Sequence, residues 1–298
     1  MHYWYSPDCG VVVFAEPNAD QDKENKLNAQ IQSGMDAKGN DLGPTTQWID
    51  LTLGAALSGG SVSLPEKGKT LEQYTWAEVK SIISNGKATE YGFTVGATKS
   101  LTYDSQDYTA RIIGLDQDDA NTATFMFTSS IGNHVMNPYD NNIGYGVNTG
   151  GFAASNMNSW LNSTAYGLLG DDVKSAIASV IKTNNLGTEN PTGTSSSSCK
   201  LFLLSVEEVG LKEELNGRGS YEYMDSIDAE STSTYTYFQT NGQSRRQEIS
   251  NNTNYNWWWL RSADSYNDSS FFLVDCYGDL GDYYADRDYD VVPAFVIG

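Results

Sequence analysis

The segment 257–297 constrains the fold more than any other part of the chain. Three stretches, at 257–262, 270–275 and 291–297, have the length and the aromatic or β-branched content of short strands. Between them the sequence is almost entirely Asp, Tyr and Ser, with Gly at turn positions. Short strands joined by long polar connections favour small β-sheets rich in turns over a helical bundle. Because tryptophan on strands usually fills a core, we expect at least one of Trp257, Trp258 and Trp259 to be buried.

The remainder of the chain predicts both helices and strands. Apolar residues near helical spacing predict helices at 70–85, 155–162 and 171–181. Alternating or continuous apolar runs predict strands at 91–96, 108–114, 122–128 and from residue 201, the last followed by a short helix before 210. Ser/Thr-rich and polar stretches predict loops at 188–199 and 216–256. Together these elements predict an α+β fold.

The first 68 residues differ in pattern from the rest of the chain. A polar stretch at 20–35 predicts a helix, Gly39, Gly43 and Pro44 interrupt the chain after it, and an apolar stretch at 48–64 is broken by further glycines. We interpret 1–68 as an N-terminal extension and 69–298 as the main domain. The extension serves either as an attachment or oligomerisation segment, which leaves a homo-oligomer open, or as a wrap around the main domain.

The charge of the chain excludes several classes of partner. Its net charge is -20, which repels nucleic acids and anionic membranes, and its few basic residues form no stripe. No apolar run approaches the length of a membrane span, so membrane insertion is not predicted. The N-terminus lacks the basic region of a signal peptide. We therefore expect cationic or neutral partners.

The cysteines and histidines give no support for catalysis. The three cysteines, Cys9, Cys199 and Cys276, show no metal-ligand spacing and leave at least one free thiol, although a Cys9–Cys199 disulfide stays open. The two histidines, His2 and His134, are too few for a triad or a multi-histidine metal site. We predict no enzyme, no catalytic residues and no cofactor.

Two acidic motifs bear on calcium, the one cofactor that the sequence suggests. The triplet Glu16-Pro17-Asn18 matches the EPN of calcium-dependent mannose-binding lectins, but it lies far from any long loop and lacks a partner WND triplet. Asp116, Asp118 and Asp119 supply hard oxygens in one loop, yet without the glycine and closing glutamate of an EF-hand. A chance match and a turn between strands are the favoured interpretations, and no metal site is predicted.

An ordered series of segments resembles a domain family of bacteria and their viruses. The family's closing segment reads WWLRS, a variable stretch, a strand F-x-V-x-x-x-G and then VRPAF. Here the corresponding segments are WWWLRS at 257–262, FFLVDCYGDL at 271–280 and VVPAFVI at 291–297. Earlier matches are ARIIGLDQD (110–118), TATFMF (122–127), GGFAASNMNSWLN (150–162), DDVKSAIASVIKTNN (171–185), LFLLSVEEVG (201–210) and YEYM (221–224). Over about 70–298 the chain thus resembles the C-type-lectin-fold variable proteins of diversity-generating retroelements.

The resemblance implies a fold and a function. The fold would be a C-type lectin fold, with small, mainly antiparallel sheets, two or more helices and long loops. In such systems mutagenic reverse transcription copies a template repeat into the end of the gene and randomises adenines, mainly in AAY codons. The varied residues, here within about 257–292, are displayed on a phage particle or cell surface and bind a protein or glycan on a target cell.

The codon chemistry can be checked against the sequence. Mutating only the adenines of AAY codons never yields Lys, Glu, Gln, Met or Trp. These five types make up 49 of the 298 residues, yet 262–290 contains none of them, and 18 of its 29 residues are Asp, Tyr, Ser or Asn. The composition agrees with variation from AAY codons.

The predicted ligand-binding positions are the polar and aromatic residues between the strands. Tyrosine offers a large contact area at low entropic cost, and Asp and Ser offer adaptable hydrogen bonds, as in antibody paratopes. Eight Asp against one Arg in 262–290 favour a ligand with cationic or hydrogen-bond-donor groups. The positions are Asp264, Ser265, Tyr266, Asn267, Asp268, Ser269, Asp275, Tyr277, Asp279, Asp282, Tyr283, Tyr284, Asp286, Asp288 and Tyr289.

Two departures and two alternatives accompany this interpretation. Asp290-Val291-Val292-Pro293 replaces the family's Gly-Val-Arg-Pro, so a role for that Arg does not transfer, and Cys276 is interpreted as an accidental exposed thiol. A calcium-dependent carbohydrate-binding lectin is one alternative, and the misplaced EPN triplet opposes it. A relative of the formylglycine-generating oxidases is the other, but those enzymes need paired cysteines that the spacing here does not indicate.

Overall fold

The computed structural model describes residues 64–190, 192–215, 227, 230, 233–250 and 257–298, except the side chains of residues 189 and 250, together with the backbone of three N-terminal strands. The chain divides into two compact units, Met1–Leu64 and Pro65–Gly298. In the first unit, β1 (His2–Ser6) pairs antiparallel with both β2 (Val11–Ala15) and β3 (Ile49–Asp50). The predicted helix at 20–35 and the EPN triplet lie outside the described residues.

The described part of the second unit contains two five-stranded sheets and a two-stranded ribbon. In chain order its strands are β4 (Thr98–Tyr103), β5 (Gln106–Leu115), β6 (Ala123–Phe127), β7 (Asn133–His134), β8 (Ile177–Ala178), β9 (Val180–Asn185), β10 (Thr194–Cys199), β11 (Trp258–Ala263), β12 (Ser270–Val274), β13 (Leu280–Tyr284), β14 (Tyr289–Asp290) and β15 (Ala294–Ile297). One sheet has the order β4-β5-β6-β15-β8, the other β13-β12-β11-β14-β7, and the ribbon joins β9 and β10.

The helices that the structure describes in the second unit are short. In chain order they are α1 (Trp76–Ser84), α2 (Gly151–Ala154), α3 (Asn156–Trp160), which continues as a π-helical turn (Leu161–Ala165), α4 (Asp171–Ala176), α5 (Lys212–Leu215), α6 (Thr236–Gln239) and α7 (Gly242–Ser250). Single 3-10 turns lie at Leu71–Gln73, Thr89–Tyr91 and Gly187–Glu189. In the part of the chain that the structure describes, no helix is long and apolar enough to cross a membrane.

Local sequence explains α1, and the helix predicted there is confirmed. Thr75 forms a capping box with Glu78, whose backbone N–H donates to the Thr75 hydroxyl at 3.2 Å. Its buried side chains are Trp76, Val79, Ile82 and Ile83. Trp76 meets Phe125 of β6 edge-on, and Phe125 stacks on Phe295 of β15 with ring centroids 5.6 Å apart. This aromatic packing fixes the helix on the first sheet.

The second sheet carries the C-terminal segment. Every residue of β11 and β12 is buried, including Trp258 and Trp259, so the expectation of a buried tryptophan is confirmed. β11 and β12 pair antiparallel, whereas β11 and β14 pair parallel through Trp258 and Asp290. The strands predicted at 257–262, 270–275 and 291–297 are thus confirmed, with ends that differ from the prediction by at most three residues.

Three sequence-based assignments are wrong for identifiable reasons. Residues 91–96 are not a strand, because Gly92 (φ 77°) and Gly96 (φ 94°) turn the backbone there. The helix predicted at 171–181 ends at Ala176, where Ile177 leaves to pair with Ile297 of β15. The Ser-rich segment predicted as a loop forms β10, because pairing with β9 satisfies its backbone groups.

Two further assignments are corrected in part. The buried stretch from Leu201 contributes one isolated bridge, Phe202 to Ala294, and then a turn instead of a strand and a helix. The segment 216–256, predicted as loop, contains α6 and α7 within its described part. The described residues as a whole form an α+β arrangement with mainly antiparallel sheets.

Candidate functional site

The loop 264–269, which joins β11 to β12, is held by one buried asparagine. The Asn148 side-chain amide lies within 2.7 to 2.8 Å of the carbonyl oxygens of Asp264, Asn267 and Ser270. The Asn148 backbone N–H donates to Asp268 O at 2.7 Å. Because these acceptors span the whole loop, Asn148 sets the loop's shape.

A second asparagine fixes the point where this loop begins. The backbone N–H of Ala263 donates to Asn185 Oδ1 at 3.0 Å, and Asn185 Nδ2 donates back to Ala263 O at 2.9 Å. This pair of bonds imitates a strand partner and ties the end of β11 to β9. The start of the loop is therefore as well anchored as its interior.

Three predicted ligand-binding residues of this loop are buried. Asp264, Ser265 and Ser269 are 4%, 6% and 5% exposed. Asp264 Oδ1 accepts from the backbone N–H of Tyr266 at 2.7 Å, and Ser269 Oγ bonds Asn267 Oδ1 at 2.6 Å. Asp264 and Ser269 therefore stabilise the loop, and all three offer almost no surface to a ligand.

The other predicted positions lie at or near the surface. Six are exposed: Tyr266, Asp268, Tyr277, Tyr283, Tyr284 and Asp288. Six are half-buried: Asn267, Asp275, Asp279, Asp282, Asp286 and Tyr289. The largest exposed fractions among the tyrosines are 66% for Tyr277, 50% for Tyr266 and 47% for Tyr284.

The structure divides these positions between the two ends of β12. Ser270 pairs with Tyr284 and Phe271 with Tyr283, so the end of β13 lies beside the 264–269 loop. The turn 275–279 lies at the opposite end, where Val274 pairs with Leu280. The predicted positions thus form two groups instead of one continuous set.

The turn 275–279 is held by the Asp275 carboxylate and docks on α7. Asp275 Oδ1 accepts from the backbone N–H groups of Tyr277 at 2.8 Å and Asp279 at 3.0 Å. Gly278 (φ 84°) passes so close to α7 that an added Cβ would lie 2.6 Å from the Gln243 carbonyl oxygen. Arg246 Nε donates to Gly278 O. Tyr277 therefore projects from a rigid turn.

A run of aromatic rings joins Trp257 to the tyrosines at the end of β13 and in β14. Trp257 stacks on Tyr289 with centroids 5.5 Å apart and meets Tyr283 edge-on at 5.9 Å. Tyr283 also contacts Tyr284, at 5.6 Å. Burial, followed by the neighbouring Tyr283, raises the pKa of Tyr289 to about 12, so its hydroxyl stays neutral. The run offers amphipathic contact area to a partner.

A buried charge network lies behind β11. Arg261 is fully buried, and its Nη2 donates to Glu208 Oε1 at 3.0 Å, which also accepts from Lys182 Nζ at 3.1 Å. Lys182 further bonds Asp118 and Tyr235. Burial alone would raise the pKa of Glu208, but the charges of Arg261 and Lys182 outweigh it and lower that pKa to about 2.

Glu230 borders the same network, but its pKa is raised whereas that of Glu208 is lowered. Burial raises its pKa to about 7, although the charge of Arg261 and hydrogen bonds from the Ser262 hydroxyl and the Asn185 N–H oppose the rise. A cavity of about 320 Å³ adjoins these groups. Because Arg261, Lys182, Glu208 and Asp118 are paired with one another, the network ties β9, the 205–208 turn and β11 together.

Sequence reasoning missed Glu208 as the ion-pair partner of Arg261, and Lys182 and Glu230 as members of the same buried cluster. Both residues lie in segments that resemble the family, Arg261 in WWWLRS and Glu208 in LFLLSVEEVG, but nothing in the sequence indicated that these two segments contact each other. The Ser262 hydroxyl accepts from the backbone N–H of Val206 at 3.0 Å and so joins the same two segments. The two motifs meet in space.

The acidic loop between β5 and β6 is a turn, as predicted. Asp116 Oδ1 accepts from the backbone N–H of Asn121 at 2.7 Å, and Asp119 Oδ1 from that of Ala120 at 2.8 Å. Asp118 points instead to Lys182 and Tyr235, whose hydroxyl donates to it at 2.7 Å. Among the described residues no group of three His, Cys, Asp or Glu side chains could hold a metal ion.

The two described cysteines are both free. Cys199 is buried, and Cys9, the other member of the disulfide that the sequence left open, lies outside the described residues. Burial raises the pKa of the Cys199 thiol, although the hydrogen bond to Ser197 opposes the rise. Cys276 is half-buried in the 275–279 turn.

The chain belongs to the family described as a domain of unknown function (DUF6273), whose sequence profile matches residues 125–298, more than half of the chain. The match covers most of β6 and everything after it, including α2, α3, most of the charge network and both groups of predicted positions. No curated protein and no solved structure matches the chain.

Proposed function

We propose that this member of the DUF6273 family is a non-enzymatic ligand-binding protein of C-type lectin fold, whose face in 262–290 is varied by a diversity-generating retroelement. It is displayed on a phage particle or a cell surface and binds a protein or glycan on a target cell. The observation that carries the proposal is the set of exposed tyrosines, Tyr266, Tyr277, Tyr283 and Tyr284, beside two fully buried strands.

The physical chemistry of this face supports recognition. The apolar ring surface of an exposed tyrosine is unfavourable in water. When a partner covers that surface, the tyrosine contributes strongly to the binding free energy. The strands beneath are rigid, because Phe271, Phe272, Leu273 and Val274 are at most 1% exposed. A partner that binds here meets side chains whose backbone is already ordered, which lowers the entropic cost of association.

The distribution of residue types also supports the proposal. Asp, Tyr, Ser and Asn, each at most one base change from an AAY codon, supply most of the exposed positions of 262–290, whereas apolar residues supply most of the buried frame. The exceptions are six buried polar residues, Ser262, Asp264, Ser265, Ser269, Ser270 and Asp290. We therefore expect the template repeat to encode the buried residues unchanged and to carry AAY codons at the exposed positions.

Sequencing the DNA downstream of the gene tests the retroelement. We expect a near-identical repeat of the 262–290 coding segment, with AAY codons at positions such as Tyr266, Tyr277 and Tyr284, and a reverse transcriptase gene nearby. Finding neither the repeat nor the gene would contradict the proposal. A repeat whose differences fell at the buried frame residues would contradict it as well.

A binding screen tests recognition. The full chain is immobilised and screened against surface proteins and glycans of candidate target cells. For any partner found, replacing Tyr266, Tyr277 and Tyr284 by Ala should weaken binding by about 2 kcal/mol or more in total. Ile181→Ala, which removes a side chain that is 65% exposed elsewhere, is the matched control and should leave binding unchanged.

A further inference from the structure

One groove on this face combines aromatic rings with carboxylates. Its volume is about 440 Å³, and it lies between the 137–146 loop, the 264–269 loop and residues 284–287. The lining residues that matter for its chemistry are Tyr139, Tyr145, Asp268, Tyr284, Asp286 and Arg287. Two of the tyrosines come from the 137–146 loop, outside the segment in which variation is expected.

Backbone contacts hold the walls of this groove in place. The Asn137 N–H donates to Ala285 O at 2.9 Å, and the Asn148 N–H to Asp268 O at 2.7 Å. Between them, Gly146 lies so close that an added Cβ would be 3.0 Å from the backbone nitrogen of Asp286. Across the groove, Tyr145 donates its hydroxyl to Asp268 Oδ2 at 3.0 Å. The walls are therefore fixed before any ligand arrives.

Asp286 is the feature that points to a ligand. Its side chain is only 8% exposed, and its Oδ1 is buried and accepts no hydrogen bond. A buried carboxylate oxygen without a donor is costly, because it has lost water and gained nothing in return. A donor that entered the groove would remove that cost.

Arg287 shows which charge the site accepts. Its Nε lies 3.5 Å from Asp286 Oδ1, beyond a good hydrogen bond, while its side chain is 60% exposed. The guanidinium is thus a loosely held cation beside the buried oxygen, and an incoming cation can displace it. Against this one cation the groove presents two carboxylates, Asp268 and Asp286, and three aromatic rings, whose faces attract cations.

We propose that the groove binds the cationic end of a lysine or arginine side chain on a protein partner, with Asp286 as its principal acceptor, the ring-lined walls around it and Arg287 as the group it displaces. This inference rests on the proposed function and deepens it, since it names the partner as a protein with an exposed cationic side chain. It also assigns a binding role to Tyr139 and Tyr145, which lie outside the varied segment.

The test titrates the full chain with two probes, Nα-acetyl-lysine methylamide and Nα-acetyl-arginine methylamide. Binding of each probe is measured from the NMR signals of the backbone amides. We expect at least one probe to shift the amide signals of 268 and 284–287 saturably, more weakly as ionic strength rises. The same probe with its cation removed, Nα,Nε-diacetyl-lysine methylamide or Nα-acetyl-citrulline methylamide, should not shift them. Equal shifts from the cationic and neutral probes would overturn the proposal.

Variants sharpen the test. Asp286→Asn should weaken probe binding about tenfold or more, and Asp107→Asn, at an exposed carboxylate on β5 that does not line the groove, should change it less than about twofold. If Asp286→Asn does not fold, Arg287→Ala decides, because removing the internal competitor should tighten binding several-fold. Unchanged or weaker binding in Arg287→Ala would overturn the displacement.

The outcomes separate this proposal from the proposed function. If the template repeat is found and neither cationic probe binds in the groove, the groove proposal fails and the retroelement proposal stands. If a probe binds as expected and no repeat or reverse transcriptase gene exists, the groove stands as a cation-binding site and the retroelement proposal fails.

Discussion

Arg261 and Glu208, 53 residues apart in the chain, form a two-pronged ion pair inside the protein, with Arg261 Nη2 3.0 Å from Glu208 Oε1 and Arg261 Nη1 bonded to Oε2. Arg261 Nη1 also donates to the Leu203 carbonyl oxygen at 3.1 Å. The pair therefore joins β11, which carries the predicted binding loop, to the segment that bridges onto β15.

Breaking this pair should cost much of the stability of the fold. Arg261→Met leaves Glu208 with Lys182 as its remaining cation, and removing one partner of a buried pair typically costs about 3–5 kcal/mol. Urea unfolding followed by tryptophan fluorescence measures this loss. Arg287→Met, at a side chain that is 60% exposed, is the control and should cost less than about 0.5 kcal/mol. Equal losses in the two variants would show that the pair is not stabilising.

Glu230 should make stability fall as pH rises towards neutrality. Its pKa is raised from 4.5 to about 7, so between these values the unfolded chain releases a proton that the folded chain keeps. The folded state thus loses stability across this window, by up to about 1.4 kcal/mol per pH unit, and the effect levels off above pH 7.

Glu230→Gln isolates this contribution. The amide cannot ionise, so the variant's unfolding free energy should lack the decline, and its difference from the native chain should change between pH 4.5 and pH 7. Chemical unfolding at closely spaced pH values measures both proteins. A difference that stays constant across the window would contradict a raised pKa.

Asn148 should be essential for the 264–269 loop. Asn148→Ala removes the donor shared by Asp264 O, Asn267 O and Ser270 O, of which the last two still accept from the backbone N–H groups of Ser270 and Asp264. The loss of a hydrogen bond at a buried acceptor such as Asp264 O costs about 1–3 kcal/mol. We expect a global loss of about 2–4 kcal/mol and faster hydrogen exchange at the amides of 264–270, measured by mass spectrometry. Asn142→Ala, at an exposed asparagine, should change neither quantity.

Gly278→Ala should separate steric clash from backbone strain. Gly278 (φ 84°) would place a Cβ 2.6 Å from the Gln243 carbonyl oxygen, whereas Gly96 (φ 94°) has open space around it. Gly96→Ala should therefore cost about 1 kcal/mol, from strain alone. Gly278→Ala should cost about 2 kcal/mol more, because α7 must move away from the turn. Thermal unfolding compares the two, and equal costs would mean that α7 adapts freely.

The sequence predicted those helices and strands whose residue patterns lie within a short stretch of the chain. The capping box of Thr75 and Glu78 and the apolar spacing behind it lie within a short stretch of the chain, so α1 was foreseeable. The same holds for β11 and β12, whose apolar residues are consecutive. β10 was missed because its Ser residues resemble a flexible loop, and only pairing with β9, a tertiary contact, makes it a strand.

The candidate site shows the same division. The tyrosines expected at the surface carry their own signal, since large aromatics between turn residues of a strand segment stand out. The burial of Asp264 and Ser269 depends on Asn148, more than a hundred residues earlier in the chain, and no local pattern reports it. The pairing of Arg261 with Glu208 also required the fold.

The bonds that Asn148 makes have a consequence for how this surface can change. Its acceptors at 264, 267 and 270 are main-chain carbonyl oxygens, and all twenty amino acids carry that atom at the same place. A substitution at Tyr266 or Asn267 therefore alters what the loop displays while its anchor meets the same three oxygens. The Asn148 anchor therefore acts on backbone atoms that every variant of this loop retains, in contrast to the side-chain bonds of Asp264 and Ser269, which substitution would remove.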